Sequence, residues 1–134
     1  MKAENRLLSR RGGFTPVEEG PMLVEEKLIG NVLVVKLKDS CLDASVAAPL
    51  KKRLHEHTGN GCTKLVLDLG WVEFMDSSGL TVIISTLKTL KEQGGQLVLS
   101  GAGPALTSLF QLTRLDKVFK VYPNTGQAVR ALSF

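Results

Sequence analysis

The chain has 134 residues, of which 43% are hydrophobic and 22% are charged, and its formal net charge is +4. This length and composition suit one folded domain with a single core and argue against a disordered chain. The basic residues alternate with acidic ones, and the cluster of Lys51, Lys52 and Arg53 has no aromatic neighbours that could stack on bases. We therefore expect no direct binding of nucleic acid.

Two cysteines, Cys41 and Cys62, are too few for a disulfide framework or a four-ligand zinc site. The start of the chain has no apolar segment of signal-peptide length. No segment approaches the ~18 consecutive apolar residues of a membrane-spanning helix. The sequence therefore predicts a cytoplasmic protein without membrane insertion.

The first 20 residues are polar and are interrupted by glycine and proline. We therefore predict a mobile N-terminal arm over residues 1–20 and one domain over residues 21–134. The domain opens with two aliphatic segments, residues 22–28 and 32–37, which are separated by a Gly-Asn pair. This pattern predicts a β-hairpin.

A helix follows the hairpin, because Val46, Leu50 and Leu54 repeat at helical spacing. Asp43 is a suitable residue to cap it, whereas Pro49 would disturb the interior of a helix. We predict that Asp43 caps a short first turn and that the regular helix begins at Pro49. A single helix kinked at Pro49 is the alternative.

Strands and helices alternate through the rest of the chain. Residues 63–69 are aliphatic enough to be buried on both faces, as a central parallel strand is. Further strands are predicted at residues 96–100 and 118–122. One helix is predicted to begin at Pro104, and a final helix is predicted to be capped by Thr125. The order β-β-α-β-α-β-α-β-α predicts an α/β fold with a mostly parallel central sheet, opened by the hairpin and covered by helices.

The segment Asp76-Ser77-Ser78-Gly79 stands at the junction of a strand and a helix. Asp76 is expected to cap this helix by accepting the backbone N–H of Ser78 or Gly79, which places Ser77 in the first turn. Gly79 is expected to leave the backbone uncovered, so that outward N–H groups and the helix dipole would tolerate a phosphate on Ser77. The alternative is that these residues only start a helix.

The helix after this junction has two different sides. Its apolar side is predicted to consist of Leu80, Ile83, Ile84 and Leu87. Its polar strip, on the opposite side, is predicted to consist of Ser77, Thr81, Ser85 and Lys88. A protein that docks on this strip would meet a neutral surface, and phosphorylation of Ser77 would add about −1.5 to −2 charges to it. This change is large enough to abolish an interface built for a hydroxyl group.

Residues 72–80, Val-Glu-Phe-Met-Asp-Ser-Ser-Gly-Leu, resemble the signature of the STAS domain family. In that family, bacterial anti-sigma factor antagonists have Asp-Ser-Ser/Thr-Gly-Leu at this junction. The resemblance extends over residues 22–133. Residues 42–47 are similar to the family's Leu-Asp-Ala-x-x-Ala start of the first helix, residues 65–69 to its central strand, and residues 104–113 to its third helix and the segment after it.

The resemblance implies a phosphorylation-controlled protein-binding switch and not an enzyme. In the family, the unphosphorylated antagonist sequesters an anti-sigma factor that is also a serine kinase, and this frees a sigma factor for transcription. The kinase then phosphorylates the first serine of the motif, which here is Ser77, and the complex dissociates until a phosphatase resets it. The kinase uses the ATP, so this chain is expected to need no cofactor and no metal.

The resemblance and the polar strip together imply a partner-binding surface. Its expected members are Asp43, Asp76, Ser77, Ser78, Gly79, Thr81, Ser85 and Lys88. The chain departs from the family at Thr81 and Arg114, where the family usually or often has glycine, and Arg114 would carry a modest strain if its φ is positive. We expect a monomer or a weak dimer.

Two other functions fit parts of the sequence. One is a non-phosphorylated STAS subunit of an ABC-type lipid transport complex or of a stress-sensing scaffold. The other is a small serine-dependent hydrolase, but Ser77 lacks the flanking glycines of a nucleophile elbow. His55 and His57 are two residues apart and therefore cannot chelate a metal as an i, i+4 pair does.

Overall fold

A computed structural model describes residues 15–19 and 22–133 of the chain. In chain order its elements are β1 (Thr15–Glu19), β2 (Met22–Ile29), β3 (Val32–Leu37), β4 (Cys41–Leu42), α1 (Ala44–Gly59), β5 (Lys64–Asp68), β6 (Phe74–Met75), α2 (Ser77–Glu92), β7 (Gln96–Ser100), α3 (Pro104–Leu112), a 3-10 helix (Leu115–Lys117), β8 (Val121–Tyr122) and α4 (Thr125–Leu132). None of the helices in these ranges is both long and apolar enough to span a membrane.

Six strands form the central sheet in the order β1-β2-β3-β5-β7-β8. The first three are antiparallel, and β3, β5, β7 and β8 are parallel. Gly30 begins the two-residue turn between β2 and β3 and has a φ of 62°, a conformation that glycine adopts without strain. The predicted α/β fold, with a mostly parallel sheet opened by a hairpin, is confirmed.

The helices cover the two faces of the sheet unequally. Successive residues of a strand point to opposite faces, so β3, β5 and β7 contribute to two separate clusters. The larger cluster joins one face to α1, α2 and α3, and its strand members include Leu33, Val35, Leu65, Leu67, Leu97 and Leu99. The smaller cluster joins the other face to α4 and comprises Val32, Val34, Val66, Val98, Ala128, Val129 and Leu132.

Strand β1 lies inside residues 1–20, which the sequence predicted to be a mobile arm. Thr15–Glu19 pairs with Met22–Glu26 of β2 in antiparallel register, so the predicted boundary at residue 20 is wrong for this strand. Strand β1 is defined by its backbone hydrogen bonds to β2. Its sequence does not show the alternating apolar residues that predict a strand, and it contains Pro16. Residues 1–14, which make up the rest of the predicted arm, lie outside the described part of the chain.

Helix α1 runs from Ala44 to Gly59 with Pro49 inside it, so the predicted start at Pro49 is wrong. The predicted cap is confirmed, because the Asp43 carboxylate accepts a hydrogen bond of 3.0 Å from the Ser45 amide. Proline lacks the N–H that would bond the Ser45 carbonyl. Burial of Val46 and Leu50 on either side of it accounts for the helix persisting through this position.

The C-terminal end differs from the prediction in two details. Strand β8 contains only Val121 and Tyr122, because the chain forms the short 3-10 helix just before it. Asn124, and not Thr125, caps α4 by accepting the Gln127 amide at 2.9 Å.

The Thr125 hydroxyl is engaged elsewhere, because it donates to the Asp68 carboxylate at 3.0 Å and lies 3.1 Å from the Ser100 hydroxyl. These bonds attach the start of α4 to the ends of β5 and β7.

A buried ion cluster joins the later half of α1 to β2. The Glu26 carboxylate is within 2.6 and 2.8 Å of two Arg53 nitrogens and 2.8 Å from His57 Nε2. Burial raises the pKa of Glu26, but the hydrogen bonds and charges of Arg53 and His57 outweigh it and lower the pKa to about 2. His57 therefore has a structural partner, and no group of three or more His, Cys, Asp or Glu residues in the described ranges could hold a metal ion.

Candidate functional site

The Asp76 carboxylate caps helix α2, as the sequence predicted. One carboxylate oxygen accepts the amide of Ser78 at 2.9 Å and that of Gly79 at 3.3 Å. The Asp76 carbonyl accepts the amide of Leu80 at 3.1 Å. Asp76 therefore satisfies three N–H groups near the start of the helix, so the amides of Ser78, Gly79 and Leu80 are not open to a phosphate on Ser77.

Ser77 is the first residue of α2, and its side chain is exposed. The backbone carbonyl of Ser77 accepts a hydrogen bond of 2.7 Å from the Thr81 hydroxyl. Thr81 is also exposed and lies one turn further along the helix. The bulk that Thr81 adds to the surface is therefore held next to Ser77.

Gly79 has a packing role that differs from the one predicted. It is buried, and a Cβ atom at this position would lie 2.7 Å from the Leu42 carbonyl oxygen and 2.8 Å from Met75 Cγ. The expectation that Gly79 leaves the backbone uncovered is wrong, because β4 and β6 cover it. Glycine is required here so that the first turn of α2 can pack closely against these two strands.

Strands β4 and β6 bring the starts of α1 and α2 together. Leu42 pairs with Met75 in a short parallel ladder, and the Asp76 amide donates to the Leu42 carbonyl at 3.2 Å. Each strand leads into a helix whose capping residue is an aspartate, Asp43 for α1 and Asp76 for α2. The sequence did not reveal this ladder because strands of two residues are too short to show a period.

The capping aspartates of α1 and α2 make the surface around the two helix starts negative. The pKa of the half-buried Cys41 thiol is raised by burial and then by the charges of Asp43, Asp76 and Asp39. The pKa of Asp43 is lowered, first by the hydrogen bond from the Ser45 hydroxyl, so its carboxylate is ionised at neutral pH. Ser77 thus lies at a helix start where carboxylates are already present.

An open cavity of about 390 Å³ lies between the first two turns of α1 and those of α2. We call it the α1–α2 groove, and its walls are formed by Ala44, Ala47, Ala48 and Lys51 of α1 and by Ser77, Ser78, Thr81 and Val82 of α2. Small side chains line most of it, and Lys51 contributes a positive charge. The sequence predicted neither the groove nor the role of Lys51 in lining it, since both depend on how the two helices pack.

Over residues 77–88, the exposed strip of α2 consists of Ser77, Thr81, Ile84 and Lys88. Ser85, which the sequence predicted in this strip, is half-buried, and Ile84, which was predicted to face the core, has 39% of its surface exposed. The difference arises because α2 is buried against α1 as well as the sheet, so Val82 and Thr86 are both enclosed. The Thr86 hydroxyl remains satisfied by donating to the Val82 carbonyl at 2.8 Å.

Two apolar side chains therefore flank Ser77 on the surface. Ile84 follows it by seven residues, which is two helical turns or about 10.5 Å along the same side of α2. Phe74 precedes it by three residues and is 58% exposed, because the buried Met75 takes the inward position of this strand. Phe74 was not among the residues that the sequence predicted for the partner-binding surface.

The family model of the STAS domain matches residues 24–128. The chain belongs to the STAS domain family. Among curated proteins, this STAS domain is 30% identical over 102 residues to an anti-sigma F factor antagonist from Paenibacillus polymyxa, covering 75% of this chain and 86% of that protein. It is 32% identical over 86 residues to an anti-sigma-B factor antagonist from Listeria monocytogenes, covering 64% of this chain and 75% of that protein.

Solved structures give the same result for the fold. An anti-sigma factor antagonist from Mycobacterium paratuberculosis superposes with a TM-score of 0.74 at 26% identity, over 91% of this chain and 96% of that one. The predicted membership of the STAS family is therefore confirmed. The φ of Arg114, which the sequence left open, is 63°, and this residue lies between the end of α3 and the 3-10 helix.

Proposed function

We propose that this STAS domain is an anti-sigma factor antagonist whose binding is controlled by phosphorylation of Ser77. The observation that carries the proposal is the exposed hydroxyl of Ser77 at the start of α2, within the Asp-Ser-Ser-Gly segment. The relatives from Paenibacillus and Listeria, which are named as antagonists of anti-sigma factors, support this function. No catalytic role is proposed for the chain itself.

The unmodified surface suits a protein partner. Ser77 and Thr81 present small uncharged groups, and Phe74 and Ile84 provide exposed apolar area within about 11 Å of Ser77 along the chain. A standard interface covers roughly 800 Å² on each partner, so one footprint includes all four side chains. The partner is an anti-sigma factor that is also a serine kinase, and its capture frees the sigma factor.

The switch is a phosphoryl transfer in which the partner supplies ATP. The Ser77 Oγ attacks the γ-phosphorus, a new Oγ–P bond forms, the bond to the ADP oxygen breaks, and the hydroxyl proton passes to a base on the kinase. We assign Asp76 a structural role and not that of the base, since one oxygen of its carboxylate accepts the amides of Ser78 and Gly79. Its role is to position the start of α2, so that Ser77 remains exposed.

Phosphorylation ends the interaction through charge. The new group adds about −1.5 to −2 charges at the centre of a partly apolar surface that already carries the carboxylates of Asp43 and Asp76. Burying this charge without a matching cation is unfavourable, so the complex dissociates. A phosphatase that hydrolyses phosphorylated Ser77 restores the binding form.

The test combines mass spectrometry with a binding titration, using purified anti-sigma factor kinases of the same bacterium. After incubation with ATP, the wild type and Ser78→Ala should each gain one phosphate, and Ser77→Ala should gain none. A phosphate that persists in Ser77→Ala would disprove the assignment.

Ser77→Asp should bind the kinase at least about 100-fold more weakly while it keeps its fold, since an exposed acid at a helix start costs little stability. Equal binding of Ser77→Asp and wild type would contradict control by charge. Recovery of a membrane ATPase as the only specific partner would instead favour the alternative of a STAS subunit in a transport complex.

A further inference from the structure

A phosphate on Ser77 would need a source of positive charge. The amides of Ser78 and Gly79, which a phosphate at a helix start would otherwise use, are bonded to the Asp76 carboxylate. Asp76 is adjacent in sequence to the modified residue, and Asp43 stands at the neighbouring start of α1. Since both carboxylates repel the new charge, the start of α2 by itself is a poor setting for a dianion.

Lys51 is the cationic side chain of the α1–α2 groove. It lies on the α1 wall, and Ser77 lies on the α2 wall. The structure gives Lys51 no ion pair with any residue that it describes, whereas Arg53 is committed to Glu26 and Glu56. The flexible stem of lysine allows its ammonium group to move within an open groove, so Lys51 can approach a phosphate without a change in the backbone.

We propose that Lys51 is the counter-ion of phosphorylated Ser77 and draws the phosphate into the α1–α2 groove. This inference rests on the proposed function, because it requires Ser77 to be the modified residue. The interaction is non-covalent, and no bond other than that of the phosphorylation itself is made or broken. Its consequence is that phosphorylation occupies the groove as well as charging the surface, so a partner loses two features of its docking site together.

The experiment measures the second pKa of the phosphate by phosphorus NMR in the full chain. Phosphoserine is inserted at position 77 during translation, and Lys51→Met is compared with wild type, with Lys51→Arg and with Lys52→Met. Lys52→Met is the matched control, since it removes the same charge from the next position of α1, which does not line the groove. The same protein unfolded in urea supplies the reference value, which is about 6.

We expect Lys51→Met to raise the pKa of the phosphate by about half a unit relative to wild type, because loss of a nearby cation disfavours the dianion. Lys51→Arg should restore the wild-type value, and Lys52→Met should have less than about a third of the effect of Lys51→Met. The difference should also shrink in about 1 M salt, where the Debye length is roughly 3 Å.

Equal pKa values for Lys51→Met and Lys52→Met would overturn the inference. Translational insertion of phosphoserine makes this result independent of any kinase. The proposed function fails in a different way, namely if the unmodified chain binds no anti-sigma factor or if phosphorylation leaves that binding unchanged. The two failures can therefore be distinguished. Failure of the inference is seen in the pKa of the phosphate, and failure of the proposed function is seen in the binding of the anti-sigma factor.

Discussion

Helix α1 brings ionisable side chains into two settings, one in each half of the helix, and the two sets differ in burial and in partners. In the later half, Glu26 of β2 is 7% exposed and is bonded to both Arg53 and His57. In the first half, Asp43 caps the helix and Lys51 lines the open α1–α2 groove, and Lys51 has no ion pair with a described residue. The buried set holds α1 on the sheet, whereas the exposed set leaves charge available for a modification or a partner.

The difference between the buried and the exposed set indicates which substitutions should change stability and which should change binding. Removing a member of the buried cluster leaves a charge without compensation inside the protein, which is costly. A change in an exposed residue around Ser77 should alter contacts with another protein and leave the free energy of unfolding nearly unchanged.

The largest effect on stability is expected for Glu26→Gln. We expect the free energy of unfolding at pH 7 to fall by roughly 3 kcal/mol, because Arg53 and His57 lose their carboxylate partner. Urea unfolding measures this loss. Glu25→Gln, on the opposite face of β2, is the matched control and should cost less than about 1 kcal/mol, since the ion pair of Glu25 with Lys38 is partly exposed and 3.7 Å long.

Glu26→Gln should also change how the stability of the domain depends on acidic pH. The pKa of Glu26 is lowered from 4.5 to about 2, so its contribution is complete above pH ~4.5 and is lost as the pH falls towards 2. In wild type, the free energy of unfolding should decline across this window, and Glu26→Gln should lack about 3 kcal/mol of that decline. Parallel pH profiles for the two proteins would contradict the role of the cluster.

The next effect is expected at the start of α2. Gly79→Ala should lower the free energy of unfolding by about 2 kcal/mol, because the new methyl group would overlap the Leu42 carbonyl and Met75. Gly59→Ala is the control, since a Cβ atom there meets nothing within 4 Å, and it should stabilise α1 by a few tenths of a kcal/mol. Calorimetric melting of both variants tests whether Gly79→Ala lowers the free energy of unfolding and Gly59→Ala raises it.

A binding effect without a stability effect is expected at Phe74. Phe74→Ala should weaken the complex with the anti-sigma factor by about 10- to 30-fold, because an exposed aromatic group beside Ser77 is suited to anchor a partner. Leu28→Ala is the control, since Leu28 is 59% exposed but lies near the hairpin turn at the other end of the sheet. Equal losses in both variants would show that Phe74 has no specific part in docking.

The smallest effect is expected at Arg114, which is the one described non-glycine residue with a positive φ. Arg114→Gly should stabilise the domain by up to about 1 kcal/mol, because glycine adopts this conformation without steric strain. Arg114→Ala should not stabilise it, since alanine keeps the Cβ atom. Thermal unfolding distinguishes the two, and equal melting temperatures would indicate that the strain is negligible.

Particular residues show why some of the site could be predicted and some could not. The Asp76 cap was predictable, because a capping bond joins residues two or three positions apart and depends on local chemistry. The burial of Gly79 was not, since it results from contact with Leu42, far away in sequence. Ile84 was misassigned for a related reason, because the sequence shows a helical period but not how many neighbours enclose the helix.

The sequence by itself determined the succession of strands and helices, the hairpin and the position of Ser77 at a helix start. These features follow from local periodicity, turn residues and capping, which act over a few positions of the chain. Only the tertiary structure decided that α1 and α2 start side by side, that Lys51 and Ser77 line one groove, and that Phe74 is exposed. Those features depend on the β4–β6 ladder and on helix packing, which join residues more than 25 positions apart.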